Sequence, residues 1–468
     1  MIRTLCRYVS LAVALACLGD SSSRATQTPD SEKAKIEALL EHVAKLEDAK
    51  FIRNDREYDA KAAERFLRGK WDAHRPPVRS AKEFIETLAS VSSTSGKAYR
   101  IKFQDGREVT SKAYLTGVLG TLEPGANDHR FLYVAVPGVR NYLEYGGHGL
   151  LVFDIDNQHK FVKRIATGGL DESGKPINVK GICGSAATKR IYISTISTLQ
   201  CIDLVTEKLL WERAYEGGCD RMAIAPGGSV IYLPSFEKDH WHVIDAMSGD
   251  VITKIVPKSG AHNTVYGPSG KRAYLAGLRS PLLTVSNTAS HTADSTVGPF
   301  SAAIRPFTVN GSETLCFVNV NELLGFEIGD IRSGKMLHRV EVAGFKKGPV
   351  KRHGCPSHGL GLTPDEKEIW LTDAHNRRLH IYDATAMPPK QLESIELRDE
   401  PGWITISIDG RLAYPSTGDV IDVATRKIIG GLEDETGTAV QSEKMLEVQV
   451  RGDEIVRVGD QFAIGKKR

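Results

Sequence analysis

Hydrophobic and polar positions alternate with a period of two in short runs through most of the chain, and one stretch shows the unit clearly. In Arg352–Asp383 the run His358–Leu362 leads through the turn Thr363-Pro364-Asp365 to Glu368–Thr372. A polar loop then leads to Arg378–Tyr382, which ends on Asp383. Alternation closed by turn residues is the signal of short antiparallel strands. The apolar-aromatic second strand recurs at Tyr133-Val134-Ala135, Tyr192-Ile193-Ser194, Tyr232-Leu233-Pro234, Tyr274-Leu275-Ala276, Phe317-Val318-Asn319, Trp370-Leu371-Thr372 and Ala413-Tyr414-Pro415. Most copies carry a turn just before it, such as Pro226-Gly227-Gly228, Pro268-Ser269-Gly270 and Asp409-Gly410. An acid ends the third strand at Asp154, Asp203, Asp245, Asp383 and Asp422, and in several copies Ser or Thr follows three residues later (Thr206, Ser248, Thr425; also Ser333 after Asp330). That spacing predicts an Asx-type turn leading into a fourth strand, so these acids are read as structural rather than catalytic.

The seven copies stand roughly 40–60 residues apart, the spacing of four-stranded propeller blades. The expectation is a mainly β fold: a seven-bladed β-propeller of four-stranded antiparallel blades, WD40-like in plan, preceded by a small helical α+β domain. The first copy lacks a strand of its own, and Lys444–Val450 is a strand suited to complete it and close the propeller over residues 130–468. Closure of that kind removes exposed edges. The fourth copy is the weakest, its third strand ending on Ser286 before the polar run Asn287–Gly298.

Ahead of the repeats the periodicity changes. Ile36, Leu39, Leu40, Val43 and Leu46 fall at helical spacing over Ser31–Leu46, with Ser31 as the N-cap and Glu32 in the first turn. Tyr58–Trp71 and Ala81–Val91 predict two more amphipathic helices, and Tyr99–Phe103 with Asp105-Gly106 predicts a small hairpin. The domain is placed at residues 31–119, after a polar linker at 21–30.

Residues 1–20 read as a signal peptide: Arg3 and Arg7 precede apolar Leu11–Leu18, and Ala14-Leu15-Ala16 offers a small-x-small cleavage site before Cys17. Cys17 is also the candidate residue for lipidation, although Ala14 and Leu15 fit a lipobox poorly. The expected location is periplasmic or secreted. The apolar run is too short to span a bilayer after maturation, so no transmembrane segment is expected in the mature chain.

A net charge of +3 with 25% charged residues and no long basic run excludes nucleic acid as the expected partner. Five cysteines lie past the export segment, at Cys183, Cys201, Cys219, Cys316 and Cys355. Cys183 and Cys219 sit near the first strands of adjacent copies, which makes them a candidate disulfide in an oxidising compartment. Cys201 and Cys316 read as small buried hydrophobes.

Candidate chemistry collects where first strands begin and where second strands lead to third. His353, His358, Asp373, His375 and Trp403 fall there in the sixth and seventh copies, with Asp220, Arg221 and His262 in the third and fourth. His262, His353 and His358 are candidate ligands for a divalent metal with a position left for water or substrate. The alternative is that these histidines are hydrogen-bonded at strand ends. Asp220-Arg221 is a candidate ion pair for a carboxylate or sugar, and Trp403 a candidate stacking face. The chain holds no Walker loop, G-x-S-x-G or H-E-x-x-H, which removes the commonest nucleotide, serine-hydrolase and metalloprotease readings.

Two resemblances add to this. Phe51-Ile52-Arg53-Asn54, Phe66-Leu67-Arg68-x-Lys70-Trp71 and Ser92-Ser93-x-Ser95-Gly96-x-x-Tyr99 resemble a small bacterial domain of unknown function. Arg53, Arg68 and Lys70 are candidates for an anion beside its serine-rich turn, set against the reading of solvated helix faces. The repeated second strands resemble the YVTN family of bacterial propeller repeats; Phe317-Val318-Asn319 comes nearest the tetrapeptide, which no copy has in full. That resemblance implies likeness to lactonases and to the non-catalytic subunits of quinoprotein amine dehydrogenases. The functional expectation is an exported binding or scaffold module for a small ligand or a protein partner. Its alternatives are a lactonase-like or metal-assisted hydrolase and a non-catalytic subunit of a periplasmic redox complex. No cofactor beyond a divalent metal is expected.

Overall fold

The computed structural model describes residues 30–46, 49–104, 106, 108–122 and 128–466, so the signal peptide and Cys17 lie outside the described residues. The chain divides into two compact units, Met1–Asn127 and Asp128–Arg468.

In the first unit, helix Asp30–Ala44 buries Ile36, Leu39, Leu40 and Val43 on one face. It starts one residue before Ser31, so Ser31 lies inside the helix and does not cap it. Helix Ala60–Ala73 is capped by Asp59, whose carboxylate accepts from Ala62 N at 2.7 Å. Helix Ala81–Thr87 is capped by Ser80, which accepts from Glu83 N at 3.1 Å. A fourth helix, Ser111–Leu122, was not expected from the pattern. The four-stranded sheet runs in the order Arg56–Tyr58, Ala49–Arg53, Arg100–Phe103, Glu108–Thr110. Its first hairpin turns on Asn54 and Asp55, with φ of 50° and 61°. Arg53 pairs with Arg56 across it. A two-residue loop with both φ positive is the I′ turn that Asn and Asp tolerate, and the strand it opens takes up Tyr58, so the helix expected from Tyr58 begins at Ala60.

The second unit is built from seven antiparallel sheets. Six have four strands in sequence order; the seventh has five, in the order Glu454–Val458, Met445–Arg451, His129–Val136, Gly149–Asp154, Lys160–Ile165. The late strand Met445–Arg451 therefore lies beside the first strand of the unit, Leu446 opposite Tyr133 and Val448 opposite Phe131. Second strands carry the core: Tyr192, Tyr232, Tyr274, Trp370 and Tyr414 are fully buried. Fourth strands such as Leu209–Ala214 and Lys427–Gly431 face solvent. The repeated acids make the turns their spacing requires. Asp203 accepts from Thr206 N at 2.7 Å, Asp245 from Ser248 N at 2.8 Å, and Asp422 from Thr425 N at 2.7 Å.

These sheets correct the expected architecture. Among the described residues there are eight separate sheets, counting that of the first unit. They share no ladder, meeting through side chains, as where Tyr192 and Cys201 pack with Ile231 and Ile244 of the next sheet, and through isolated backbone contacts such as the Arg221–Asn263 bridge. The expectation of a WD40-like, closed seven-bladed propeller of uniform four-stranded blades is withdrawn on that ground. Period-2 runs count strands and locate turns, but they do not state how sheets are disposed, and they hid the fifth strand Glu454–Val458. The candidate Cys183–Cys219 disulfide is likewise corrected. Both are free, buried thiols within one apolar cluster with Leu199, Met222 and Leu233, and burial pushes both thiols far up from their ordinary value.

The pairing of strand Met445–Arg451 makes a stability prediction. Leu446 is fully buried between neighbouring strands, and Leu446→Ala should lower the stability of the second unit by about 2–5 kcal/mol. The check is the midpoint of its urea transition.

Candidate functional site: an ionic cavity in the second unit

Each sheet of the second unit brings the head of one strand to a common region. Lys180 stands at the start of Val179–Ser185, Arg221 just before Ala223–Ile224, and His262 in Ala261–Tyr266. Arg305 opens Ile304–Val309, His358 precedes Leu360–Leu362, and Trp403 precedes Ile404–Ile406. Glu443 and Lys444 lead into Met445–Arg451. Except for Trp403, these residues line a cavity of about 330 Å³ together with His353, Arg140, Arg352 and Glu237. Strand heads are the natural place for such groups, because the backbone there is fixed by the ladder while the side chain projects past its end.

Two charged networks meet in the cavity. In the first, Asp220 is fully buried behind the lining and its Oδ2 lies 2.7 Å from His262 Nδ1. Lys180 Nζ is 3.4 Å from the other oxygen, which also accepts from Arg221 N at 2.9 Å. Burial would raise the Asp220 pKa, but His262, Lys180 and Arg221 together hold it below the ordinary value. Burial lowers the His262 pKa against the pull of Asp220. In the second network, Glu443 receives Arg221 Nη2 at 2.7 Å, Lys444 Nζ at 2.9 Å and His353 Nδ1 at 2.9 Å. Burial opposes its charge, yet Lys444, His353 and Arg221 keep Glu443 well below the usual carboxylate range. Burial brings the Lys444 ammonium down to about 7, with Glu443 resisting.

His353, His358 and Glu443 form a candidate metal cluster, each offering a ligand atom, all within 4.8 Å of one another. His358 donates Nδ1–H to Gly402 O at 2.7 Å, which fixes the tautomer and leaves Nε2 as the lone-pair atom. Burial holds its pKa well below the ordinary value, so the ring stays neutral. Two imidazoles and a carboxylate suit zinc and other divalent first-row metals and leave positions open. Gly402 is required here: a Cβ would stand 1.9 Å from His353 Cε1. A second group, His129 with Asp154 and Asp156, is a solvent-facing turn in which Asp154 already accepts from Asp156 N and Asn157 N.

Four buried polar atoms of lining residues have no hydrogen-bond partner: Asn178 Oδ1, Arg221 Nη1, His262 Nε2 and His353 Nε2. Each such atom calls for a partner, and a ligand, an ion or water in the cavity would supply one. The Arg221 guanidinium lies 3.6 Å over the Trp403 ring, so Trp403 supports a cation and is not itself an open stacking face.

Several sequence-derived assignments change. Of the expected metal ligands, His353 and His358 come together, but His262 belongs to the Asp220 dyad and Glu443 takes its place. Asp373 and His375 do not line the cavity. Asp373 is engaged by Asn376 Nδ2 at 2.7 Å and His380 Nε2 at 3.1 Å, and His375 is solvent-exposed. Cys355 donates to Ser357 O, burial pushing its thiol up to about 12. Glu443, Lys444, Lys180, Arg305 and Arg352 were missed. The one available signal was the Glu443-Lys444 pair at the head of strand Met445–Arg451.

The family model of a family of unknown function, DUF5329, matches residues 30–123. Over 99 residues the chain is 30% identical to the uncharacterized protein YfeK of Salmonella typhimurium, covering 21% of this chain and 77% of that protein. Through this N-terminal region the chain belongs to that family. No YVTN repeat is found in the second unit, and that resemblance is withdrawn. Among solved structures, a chain of the mitotic checkpoint complex matches with a TM-score of 0.49 and 14% identity, covering 61% of this chain and 80% of that one. The hydrazine synthase of Kuenenia stuttgartiensis matches with a TM-score of 0.38 and 12% identity over 57% and 98%. Likeness at this level assigns neither fold nor function.

The Asp220 network predicts a pH dependence. The folded pKa of Asp220 lies below its ordinary 3.8, so its ionised form stabilises fully above about pH 4 and that contribution fades as pH falls through the folded value. His262 is held below 6.5, so stability also declines with falling pH once the unfolded ring takes a proton that the folded ring refuses. Asp220→Asn should lower stability at pH 7 by about 1.5–3 kcal/mol. The gap from wild type should narrow below pH 4, as read from urea midpoints across pH.

Proposed function

We propose that the second unit is an exported binding module that takes a small anionic ligand at this cavity. A divalent metal on His353, His358 and Glu443 supplies one contact, and the surrounding cations supply the rest. The observation that carries the reading is the set of buried unpartnered atoms, Asn178 Oδ1, Arg221 Nη1, His262 Nε2 and His353 Nε2, gathered at one cavity. Charge supports it. Five cationic side chains line the cavity (Arg140, Lys180, Arg221, Arg305, Arg352), with Lys444 brought toward neutrality by burial, against two carboxylates, Glu237 and Glu443. Such a field attracts carboxylate or phosphate groups. Among the described residues no helix is long and apolar enough to cross a membrane. The export segment of the sequence would place this chemistry in the periplasm or outside the cell.

A water-activating hydrolase is the second reading, and the Asp220–His262 dyad favours it. A buried carboxylate orients the ring through Nδ1, and Nε2 is left to accept a proton in the cavity. A metal on the neighbouring cluster would lower the pKa of a bound water.

Metal content by mass spectrometry, on protein purified without chelator or affinity histidines, tests the reading. Near-stoichiometric divalent metal is expected in wild type and in His262→Ala, and its loss in His358→Ala. An absence of metal from all three would remove the metal from the proposal. Retention in His358→Ala would place it elsewhere.

A further inference from the structure

The three sequence stretches that set the first unit apart converge on one pocket, separate from the cavity above. Phe51, Ile52 and Arg53 come from strand Ala49–Arg53, Phe66 and Leu67 from helix Ala60–Ala73, and Tyr99 from the start of the second hairpin. The pocket holds about 200 Å³, below the roughly 300–1,000 Å³ of drug-sized sites, and its walls are mainly apolar.

Arg53, Arg65 and Arg100 line the pocket, Arg65 from the solvent-exposed side. These and the neighbouring Arg68 and Lys70, which share the helix of Arg65, are not equivalent. Arg68 is neutralised by Glu64 at 2.6 Å and Glu37 at 2.8 Å, and Arg100 by Glu108 at 2.8 Å. Lys70 donates only to neutral oxygens, Leu88 O at 2.7 Å, Val91 O at 3.3 Å and Tyr99 Oη at 3.3 Å. Arg53 makes no ion pair with a described carboxylate; its guanidinium lies 3.9 Å over the Phe66 ring and its Nε is buried without a partner. Burial lowers the Lys70 pKa, and Arg53 adds to that, so the two cations share one field with no acid between them. The serine-rich turn offers no place for an anion, since Ser92 caps Ser95 N and Ser95 holds Asn54.

We propose that this pocket binds a short apolar chain ending in a carboxylate, the chain against Phe51, Tyr58 and Leu67 and the head group on Arg53. A cation on an aromatic wall above an apolar slot selects an amphiphilic anion. A neutral or cationic chain would leave Arg53 desolvated and unpaired.

Titration calorimetry on the full mature chain, with octanoate as probe and octyltrimethylammonium as its charge-reversed counterpart, tests this. One equivalent of octanoate should bind and the cation should not. Arg53→Met should weaken octanoate about tenfold, the loss of one charge-assisted contact. Ala62→Trp, which fills the slot from the partly buried helix face that lines it, should abolish binding, and Glu443→Gln in the other unit should leave it unchanged. Thermal unfolding of each variant reports whether it folds, and Ala62→Trp carries the test alone if Arg53→Met does not. Absence of octanoate binding, equal binding of both probes, or loss in Glu443→Gln with retention in the first-unit variants would each overturn the proposal.

Discussion

The contact between Arg221 and Glu443 constrains the second unit more than any other. The two residues come from strand heads far apart in sequence, both are almost wholly buried, and their ion pair closes to 2.7 Å. Removing either charge from water costs several kcal/mol even after relaxation, so neither is tolerated without the other. Once both are present, the remaining groups follow from charge compensation. Glu443 has an oxygen left for His353, while Lys444 shares the oxygen that Arg221 takes. Arg221 leans on Trp403 and, through its backbone N–H, helps hold Asp220 ionised, and Asp220 in turn fixes His262. The two networks are one chain of dependencies passing through a single arginine.

The sheets can be read as the device that makes this arrangement affordable. Their second strands bury large rings in continuous apolar clusters, and their Asx turns satisfy the backbone at every crossing into an outer strand. The innermost strands are then free to carry polar residues that a less rigid frame would expel. Ala261–Tyr266 is buried from end to end yet contains His262, Asn263 and Thr264. Close approach at the strand heads depends on glycine, as at Gly359, where a Cβ would meet Trp403 Cα at 2.6 Å.

How much of this was legible follows from what each signal encodes. Tyr192, Tyr232, Tyr274, Trp370 and Tyr414 announce buried strands because alternation and aromatic weight are local properties. Asp203 and Asp422 announce turns for the same reason. His353 and His358 were legible as site residues because imidazoles at a strand head stand out from their surroundings. Glu443 was not, since an acid among Gln441, Ser442 and Lys444 looks like any solvated turn until the fold buries it. Asp373 and His375 failed in the opposite way: they have the right composition at the right place in the repeat, but Asp373 is spent on His380 within its own sheet. The disposition of the sheets and the fifth strand were beyond a period-2 reading, because such a pattern specifies faces and not neighbours. In the first unit, Asn54-Asp55 was a readable I′ turn that helical periodicity on either side concealed.

The two units handle charge in one way with different surroundings. Arg221 lies over Trp403 at 3.6 Å and Arg53 over Phe66 at 3.9 Å, and each keeps one guanidinium nitrogen buried and unpartnered. An aromatic face offsets part of the desolvation of a cation without consuming its N–H donors, whereas a carboxylate consumes both the charge and the donors. Arg68, held by two acids, shows the second outcome in the same unit. Stacking thus leaves an arginine positioned, dehydrated and still able to donate, which is the state in which it best receives an anion. What differs is the floor beneath it. Histidines and carboxylates around Arg221 suit a polar or metal-bound ligand, and the apolar walls around Arg53 suit a chain. On the two proposals made above, the same physical device serves two chemically distinct anions within one polypeptide.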